Sequence, residues 1–203
     1  MVSSALDGKG SLTRSGQHLQ RIQGGTTRMA QIIEDLLKLS RIGRDDCTLM
    51  PLDLASLADQ VLAGLRAAEP ERRVDCQVQH PIPVQGDPRL LRLLLENLLC
   101  NAWKFTSRVA AARIEMEAHS LDEAMVEISI RDNGAGFPSA QAAKLFTPFH
   151  RLHRDSDYPG TGIGLAIARR VVGRHGGHIR AEGEVGLGAV FQFTLPVLQE
   201  ELP

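Results

Sequence analysis

The sequence predicts an α/β protein, a two-layer α/β sandwich in which helices cover one face of a mixed sheet, preceded by one long helix. Three observations support this fold class. Apolar residues recur at steps of three and four between Gln17 and about Gly43, strand and helix patterns alternate after residue 46, and the strands come in sequential pairs with long helices between them. The polar break GRDD, residues 43–46, divides an N-terminal segment 1–46 from a domain 47–203.

The N-terminal pattern is typical of a helix that packs against other helices. Its apolar face carries Leu19, Ile22, Thr26, Met29, Ile33, Leu36 and Ser40. Gly24 and Gly25 each weaken such a helix by about 1 kcal/mol relative to Ala, but the pattern resumes on the same face. A helix standing alone cannot bury this face. We therefore expect a partner helix, either from residues outside this sequence or from a second copy of the chain.

Helix and strand signals follow in order along the domain. Asp53 can cap a helix that runs to about Ala68, and Gly86-Asp87-Pro88 supplies a turn, an N-cap and a first helical proline for a helix ending near Phe105. Another helix is predicted from about Ile163 to Arg174. Short alternating patterns predict strands at residues 74–78, 114–118, 126–132, 178–181 and 189–195.

Composition excludes several classes of protein. The chain has 203 residues, of which 43% are hydrophobic, and a net charge of -1, so it has a core and no electrostatic basis for binding nucleic acid. Its three cysteines form no C-x-x-C pair, which argues against a disulfide framework or a zinc cluster. No apolar run reaches the roughly 20 residues of a membrane span. We expect a cytoplasmic protein without direct membrane insertion.

The stretch DNGAGF, residues 132–137, follows an alternating strand. Val126, Ile128, Ile130 and Asp132 point to the same side of that strand, so the carboxylate of Asp132 faces inward with the apolar side chains. A buried carboxylate is costly unless donors hydrogen-bond to it, and no cation accompanies it on that face. A ligand is therefore a candidate donor.

A second group of polar residues lies on one face of the helix that contains ENLLCNAWKFT. Asn97, Asn101 and Lys104 or Phe105 are spaced by one and two helical turns. Amide oxygens are suitable ligands for Mg²⁺, which also keeps waters and phosphate oxygens, and an ammonium suits a phosphate. The alternative interpretation is an amphipathic helix whose Asn and Lys side chains only face water.

The third element is PGTGIGLAIARRVVG, residues 159–173. Gly160, Gly162 and Gly164 allow the backbone to approach phosphate closely, just before a helix whose N-terminal N–H groups favour anions. Glycines before a helix are also common in ordinary loops. The pattern matches neither a P-loop nor a Rossmann site, because it lacks GxxxxGK[ST] and does not follow the first strand of a βαβ unit.

Together these motifs closely resemble those of the sensor histidine kinases, within the wider ATPase and kinase group that shares the Bergerat ATP-binding fold. ENLLCNAWKFT is similar to the N box of that family, DNGAGF to its G1 box, KLFTPFHRLH to its F box and GTGIGLAI to its G2 box, in the same order. RMAQIIEDLLKLSRIGR resembles the second helix of the dimerisation and phosphotransfer domain, most like that of phytochrome-type kinases. The resemblance covers about residues 15–196.

The resemblance implies ATP and Mg²⁺ as cofactors and gives each matched position a role. Asp132 would accept a hydrogen bond from the adenine amino group, and Asn101 would be the metal ligand, with Asn97 and Lys104 at the phosphates. Residues 138–158 would form the ATP lid. The full set of implied cofactor-binding residues is Asn97, Asn101, Lys104, Phe105, Asp132, Gly134, Gly136, Phe137, Gly160, Thr161, Gly162, Gly164 and Leu165.

Three residues are candidates for catalysis. Glu96 occupies the position at which family members carry an acid before the first Asn, where it could polarise the acceptor or act as a general base, or be an ordinary exposed acid. Lys104 would lie near phosphate charge. Arg154, like Arg151, could offset phosphate charge in the transition state, or be a solvated loop residue.

The sequence departs from the family at the phosphoacceptor. No histidine is followed by an acid, Leu, Arg and soon Pro, and the motif would fall before Met1, as in a truncated or shortened chain. His18 lies on the predicted long helix but lacks that context, so we expect a surface position in the bundle. His150 and His153 are expected to be loop residues rather than metal ligands.

These features predict the core of a protein-histidine kinase that phosphorylates a histidine and then, through it, an aspartate of a response-regulator receiver domain. The full-length protein would form a homodimer through the N-terminal helix, and this sequence would bind nucleotide without phosphorylating itself. Two alternatives stay open. One is a non-catalytic module that holds nucleotide or dimerises. The other is an ATPase of the gyrase or chaperone type, although those enzymes carry a Glu where this chain has Asn97.

Overall fold

The structure is a computed structural model that describes residues 7–43, 46–152 and 157–197, with side chains described from Ile22 onward except Gln23. Four helices and seven strands are present in these ranges. The helices are α1 (Asp7–Ile42), α2 (Leu54–Ala68), α3 (Pro88–Phe105) and α4 (Gly164–Arg174), and a short 3-10 helix spans Ser139–Lys144. The strands are β1 (Met50–Asp53), β2 (Asp75–Val78), β3 (Pro83–Gly86), β4 (Arg113–Ser120), β5 (Met125–Asp132), β6 (Ile179–Glu184) and β7 (Gly188–Pro196).

The main sheet is mixed, as predicted. Its strand order is β2-β4-β5-β7-β6, in which β2 runs parallel to β4 and all other neighbours are antiparallel. Ile130 of β5 pairs with Met116 of β4 on one side and Phe191 of β7 on the other, and all three side chains are buried. Helices α2, α3 and α4 pack on this apolar face, which gives the two-layer α/β sandwich that the sequence predicts.

Helix α3 is the central helix of the core. Leu91, Leu94, Leu95, Leu98 and Leu99 are all fully buried, and burial of each such side chain contributes roughly 1.5–3 kcal/mol to folding. The opposite face of the helix turns its polar residues toward a cavity. The periodicity of α3 therefore fixes both the core and the orientation of the polar face.

Two aspartates begin helices as the sequence predicts. Asp53 accepts a hydrogen bond from the backbone N–H of Ala55, and also from that of Ile82, which ties α2 to the chain just before β3. Asp87 accepts from the backbone N–H groups of Arg89 and Leu90 at the start of α3. Such caps satisfy N–H groups that have no partner within the helix and stabilise it by about 1 kcal/mol each.

Two strands were not predicted. The strands β1 and β3 form a separate antiparallel pair in which Leu52 lies opposite Val84. Each has four residues and contains a proline, so neither shows the alternation that identifies a strand from sequence alone. The first helix also differs from prediction, because α1 begins at Asp7 rather than near Gln17.

Helix α1 has two different apolar faces. Ile32, Leu39 and Ile42 pack against the core of the domain, and α1 contacts α4. Ile22, Met29, Ile33, Leu36 and Leu37 are 40–65% exposed. The stripe predicted from the sequence is therefore not covered by the described part of this chain. None of the described helices has the length and hydropathy needed to cross a membrane.

Candidate functional site

A cavity of about 350 Å³ lies between α1, α3, the end of β5, the start of α4 and the segments 145–152 and 158–162. This volume is within the range of small-molecule sites. Of the predicted site residues, the following line it: Glu96, Asn97, Asn101, Lys104, Phe105, Asp132, Gly136, Phe137, Gly160, Thr161, Gly162, Gly164 and Leu165. Gly134 lies beside the cavity rather than in its wall, and Arg154 lies outside the described residues.

Asp132 is the buried acid of the cavity, with 4% of its surface exposed. Burial raises the pKa of its carboxyl to about 6, although hydrogen bonds from the backbone N–H groups of Gly134 and Ala189 act in the opposite direction. No lysine or arginine in the described ranges forms an ion pair with it. The sequence predicts that a ligand is a candidate donor to this carboxylate. The structure shows that backbone groups already supply part of the hydrogen bonding.

The polar face of α3 has the predicted one-sided arrangement. The Oδ1 atom of Asn101 accepts a hydrogen bond from the Nζ atom of Lys104 at 3.1 Å. The Nδ2 atom of Asn97 donates to the backbone oxygen of Leu93 at 2.7 Å, which fixes the orientation of that amide. Three polar groups one or two turns apart thus share one wall of the cavity.

Lys104 is desolvated at this position. Burial, together with the positive charge of Arg151, lowers the pKa of its ammonium group to about 8. Its Nζ atom also lies 4.4 Å from the centre of the Phe105 ring, a cation–π distance. An anion in the cavity would favour the charged form of Lys104 and would raise its pKa.

The glycine loop, residues 160–164, faces Lys104 across the cavity. A Cβ atom at Gly160 would lie 3.4 Å from Nζ of Lys104. Gly162 has a φ of +76°, a conformation that L side chains rarely adopt, and its carbonyl oxygen accepts from the N–H of Phe149. At Gly164 a Cβ atom would overlap the Oδ1 atom of Asn97. Glycine therefore lets the N-terminus of α4 approach the polar face of α3.

Gly134 and Gly136, the glycines of DNGAGF, pack closely against the backbone of neighbouring segments. Gly136 has a φ of +60°, and a side chain there would collide with the carbonyl oxygen of Glu184. A Cβ atom at Gly134 would lie 2.6 Å from the backbone oxygen of Phe105. Phe137 is buried, 6.5 Å between ring centres from Phe191. These residues shape the cavity wall next to Asp132 through close backbone packing.

Tyr158, the last residue of the predicted lid 138–158, contacts the end of α3. The ring of Tyr158 lies 5.0 Å from that of Phe105, and the Arg108 guanidinium lies 5.1 Å from the same tyrosine ring. The guanidinium of Arg151 donates to the backbone oxygens of Tyr158 and Gly160, at 2.8 and 2.7 Å. Arg151 therefore stabilises the loop conformation while lining the cavity.

Other described residues of the predicted lid lie either in the core or at the surface. Phe146 is buried in the core, whereas Phe149 is 56% exposed and has a φ of +65°. His150 lines the cavity, and its Nδ1 atom is buried without a hydrogen-bond partner in the described part of the chain. His153 falls outside the described ranges.

Three cavity residues on α1 were missed from the sequence. Gln31, Asp35 and Lys38 line the same cavity as Asn101 and Thr161. These residues carry no recognisable signal in the sequence, because their spacing on α1 is that of an ordinary polar helix face. The contact of this helix with the loop 160–164 is the hydrogen bond between Asp35 and Thr161, which lie 126 positions apart. The side chain of His18, on the same helix, is not described.

The cavity offers few protein ligands for Mg²⁺. Glu96 is exposed at the rim of the cavity, and within the described residues no group of three or more His, Cys, Asp and Glu side chains could hold a metal ion. An amide oxygen from Asn101 remains, and Mg²⁺ commonly combines one or two protein ligands with waters and phosphate oxygens. The residues present therefore fit a metal that enters together with a nucleotide.

Comparison with known proteins gives consistent results. A family model described as "Histidine kinase-, DNA gyrase B-, and HSP90-like ATPase" matches residues 86–199. The chain is 34% identical over 197 residues to the circadian input-output histidine kinase CikA of Synechococcus elongatus, covering 92% of this chain and 26% of that protein. It is also 34% identical to the adaptive-response sensory kinase SasA of Thermosynechococcus vestitus, covering 85% of this chain and 46% of that protein.

Solved structures show the same similarity. The full-length structure of ShkA in complex with AMPPNP matches with a TM-score of 0.72 at 30% identity, covering 94% of this chain and 40% of that one. The mycobacterial sensor histidine kinase MprB matches with a TM-score of 0.63 at 28% identity, covering 75% of this chain and 99% of that one. The chain thus spans between a quarter and a half of the length of the curated relatives named above.

Proposed function

Because the chain belongs to the family of histidine kinase-, DNA gyrase B- and HSP90-like ATPases, we propose that it is the catalytic ATP-binding part of a sensor protein-histidine kinase. The observation that carries this proposal is one cavity lined by Asp132, Asn101, Lys104 and the glycine loop 160–164. These groups combine a buried acceptor for an adenine amino group, an oxygen ligand for Mg²⁺, a cation and a backbone suited to phosphate.

Each residue has a defined task in this proposal. Asp132 accepts from the adenine amino group, and its preference for the anionic form increases when that donor is present. Asn101 offers its Oδ1 atom to Mg²⁺, while Asn97 and Lys104 orient the phosphates. Phe105 provides an apolar surface beside the nucleotide. Bound Mg-ATP would supply the transferable γ-phosphoryl group and the metal charge that neutralises it.

The proposed catalytic residues are Glu96, Lys104 and Arg154. An exposed carboxylate at the cavity rim, as observed for Glu96, can meet an acceptor that approaches from solvent and polarise it. A lid arginine such as Arg154 would offset charge that develops on the transferred phosphoryl group.

The partners and the organisation of the protein are part of the proposal. The phosphoryl group would pass to a histidine on a dimerisation helix and then to an aspartate of a response-regulator receiver domain. The exposed stripe on α1 supports homodimer formation in the full-length protein. We place the domain boundary near residue 46, between a dimerisation segment and the catalytic domain 47–203, and we propose that the site acts in the cytoplasm.

An ATPase of the gyrase or chaperone type is less well supported. Such hydrolysis requires a base that positions water, and Asn97 occupies the place of that base. An Asn side chain is a neutral amide, which does not act as a base. Its nitrogen donates to the backbone oxygen of Leu93. A non-catalytic module would differ in its response to metal, which calorimetry can detect.

Calorimetric titration with AMP-PNP tests nucleotide binding. The chain should bind the nucleotide more tightly with Mg²⁺ than with EDTA, and Asp132→Asn should lose at least about tenfold in affinity, since a hydrogen bond to a charged group contributes about 1.5–3 kcal/mol. Asp75→Asn, the same change on an exposed strand residue, should bind normally. Full affinity in Asp132→Asn would refute the site, and metal-independent binding would favour the non-catalytic module.

Phosphoryl transfer needs a separate experiment. With ATP labelled at the γ-phosphate, no acid-labile label should accumulate on this chain alone. Label should appear on an added dimerisation helix that carries the histidine-acid-Leu-Arg motif, and Asn101→Ala should abolish that transfer. Release of inorganic phosphate without labelling of the helix would support the ATPase alternative instead.

A further inference from the structure

Helix α1 contacts the glycine loop at the phosphate end of the cavity. The hydroxyl of Thr161 donates to the Oδ2 atom of Asp35 at 2.7 Å. About two turns earlier on α1, the guanidinium of Arg28 approaches the backbone oxygen of Gly160 at 3.5 Å. The N-terminal helix thus holds the loop that the proposed function assigns to the phosphates.

The Asp35 carboxylate is well enclosed in this contact. Its side chain is 14% exposed, and its Oδ1 atom accepts from the Nε2 atom of Gln31 at 3.1 Å. The nearest ammonium, that of Lys38, is 4.0 Å away and lies half in solvent. Asp35 and Asn101 line the same cavity. A negative charge is therefore present in the cavity that is proposed to receive a triphosphate.

This arrangement opposes the binding of an anionic ligand in two ways. The Thr161 hydroxyl has one proton, so while it donates to Asp35 it cannot donate to a phosphate oxygen. The carboxylate also repels phosphate charge, and this repulsion is strong where both groups are partly shielded from water. A bound phosphate and a docked Asp35 would use the same donor and carry the same sign of charge.

We propose that Asp35 is an autoinhibitory residue, because its carboxylate accepts the hydrogen bond that the Thr161 hydroxyl would otherwise donate to a phosphate oxygen. Docking of α1 and binding of a nucleoside triphosphate therefore oppose each other. The inference rests on the proposed nucleotide function of the cavity. By linkage, a triphosphate that displaces Asp35 weakens the attachment of α1 to the domain, and a docked α1 lowers the affinity for the triphosphate by the same factor.

Affinity measurements on two neighbouring variants test this inference. We expect Asp35→Asn to bind Mg-AMP-PNP about tenfold more tightly than the unmodified chain, within the usual range of coupling between sites. Its affinity for adenosine, which carries no phosphate, should not change. Glu34→Gln removes the adjacent exposed charge of α1, which does not line the cavity, and should leave both affinities unchanged.

Hydrogen exchange gives an independent measurement. Saturation of the unmodified chain with Mg-AMP-PNP should speed exchange of backbone amides in residues 28–42, because the attachment at Thr161 is lost. In Asp35→Asn this region should already exchange faster without nucleotide. An unchanged exchange rate in both cases would contradict a docked and a released state of α1.

The possible results separate this inference from the proposed function. Unchanged or weaker Mg-AMP-PNP binding by Asp35→Asn, with normal binding by the unmodified chain, overturns the inhibitory role alone; a loss seen only with Mg²⁺ would identify Asp35 as a metal ligand instead. Absence of Mg-AMP-PNP binding by the unmodified chain and by both variants would refute the nucleotide function and the inference with it.

Discussion

The Nζ atom of Lys104 donates a hydrogen bond to the Oδ1 atom of Asn101, the amide oxygen proposed to bind Mg²⁺. A metal and an ammonium would compete for the same oxygen. Entry of Mg-nucleotide should therefore move Lys104 from Asn101 to a phosphate. The pair holds the amide in place beforehand and positions the cation where the anion enters.

Lys104→Met should weaken Mg-AMP-PNP binding by roughly 10- to 100-fold, since a hydrogen bond to a charged group contributes about 1.5–3 kcal/mol. The side chain length is retained but the charge is lost. Adenosine affinity should change little. Calorimetry is the measurement, and Lys144→Met, an exposed lysine outside the cavity, is the control. Equal losses for adenosine and AMP-PNP would indicate a collapsed cavity rather than a lost phosphate contact.

Mg-AMP-PNP affinity should fall as the pH rises through about 8, the pKa of Lys104. Below that pH the group is charged and attracts phosphate; above it, binding must first take up a proton. The decrease should approach tenfold per pH unit. Titrations between pH 7 and 9.5 measure it, and the pH dependence should disappear in Lys104→Met. A profile that persists in the variant would assign it to another group.

Recognition of the adenine amino group should weaken as the pH falls through about 6. Below this pH the Asp132 carboxyl holds a proton in the free protein, which must be released before the anion can accept from the amino group. Comparison of ATP with the triphosphate of purine riboside, which lacks the amino group, removes phosphate titration from the result. Their affinity ratio should fall by up to tenfold per unit. A constant ratio would contradict the role of Asp132.

Replacement of Gly164 by Ala should destabilise the domain by about 0.5–1.5 kcal/mol, because the new Cβ atom overlaps the Oδ1 atom of Asn97 and the amide must turn away from its hydrogen bond with the backbone oxygen of Leu93. Gly173→Ala in the same helix is the matched control. Apart from its chain neighbours and the backbone of its own helix, no atom of the described residues lies within 4 Å of its Cβ position, so this variant should gain up to about 1 kcal/mol. Urea denaturation measures both. Equal effects would show that α4 does not approach α3 as closely as described.

Stability should fall below pH 6.5 through His175. Its Nε2 atom accepts from the N–H of Asp87 and its Nδ1 atom donates to the oxygen of Val171, so the buried ring is neutral. Burial lowers its pKa below 6.5, although the Val171 contact and Asp87 oppose this. The unfolded chain therefore takes up a proton first as the pH falls, and stability is lost between 6.5 and the lower folded pKa.

The contribution of His175 can be measured by comparing the pH dependence of stability between variants. The pH dependence of the free energy of unfolding should be smaller in His175→Gln than in the unmodified chain between pH 7 and 5. His178→Gln, at an exposed position of the following turn, should retain the dependence of the unmodified chain. Identical slopes in all three proteins would contradict a neutral His175.

Elements with long or capped patterns were predictable from the sequence. Helix α3 begins at Pro88 and ends at Phe105 as predicted, because Asp87 caps it and its apolar face repeats over five turns. The alternation that ends at Asp132 also identified the inward carboxylate. These are local signals, in which each residue specifies its own environment.

The remaining features depend on contacts between distant residues. Strands β1 and β3 are short, and each becomes a strand only because the other lies beside it. The donors to Asp132 come from the turn after it and from β7, and the α1 residues in the cavity depend on how that helix packs. Side-chain periodicity carries no information on such pairings.

The two apolar faces of α1 lie one residue apart in the sequence, as Ile32 and Ile33 show, and so differ by about 100° around the helix axis. Asp35 belongs to the inner face and Leu36 to the outer one. Because both faces belong to one helix, a rotation of α1 about its axis that repacks the outer side chains would also move Asp35 away from Thr161. A mechanical input to this helix would therefore reach the mouth of the cavity without passing through the sheet.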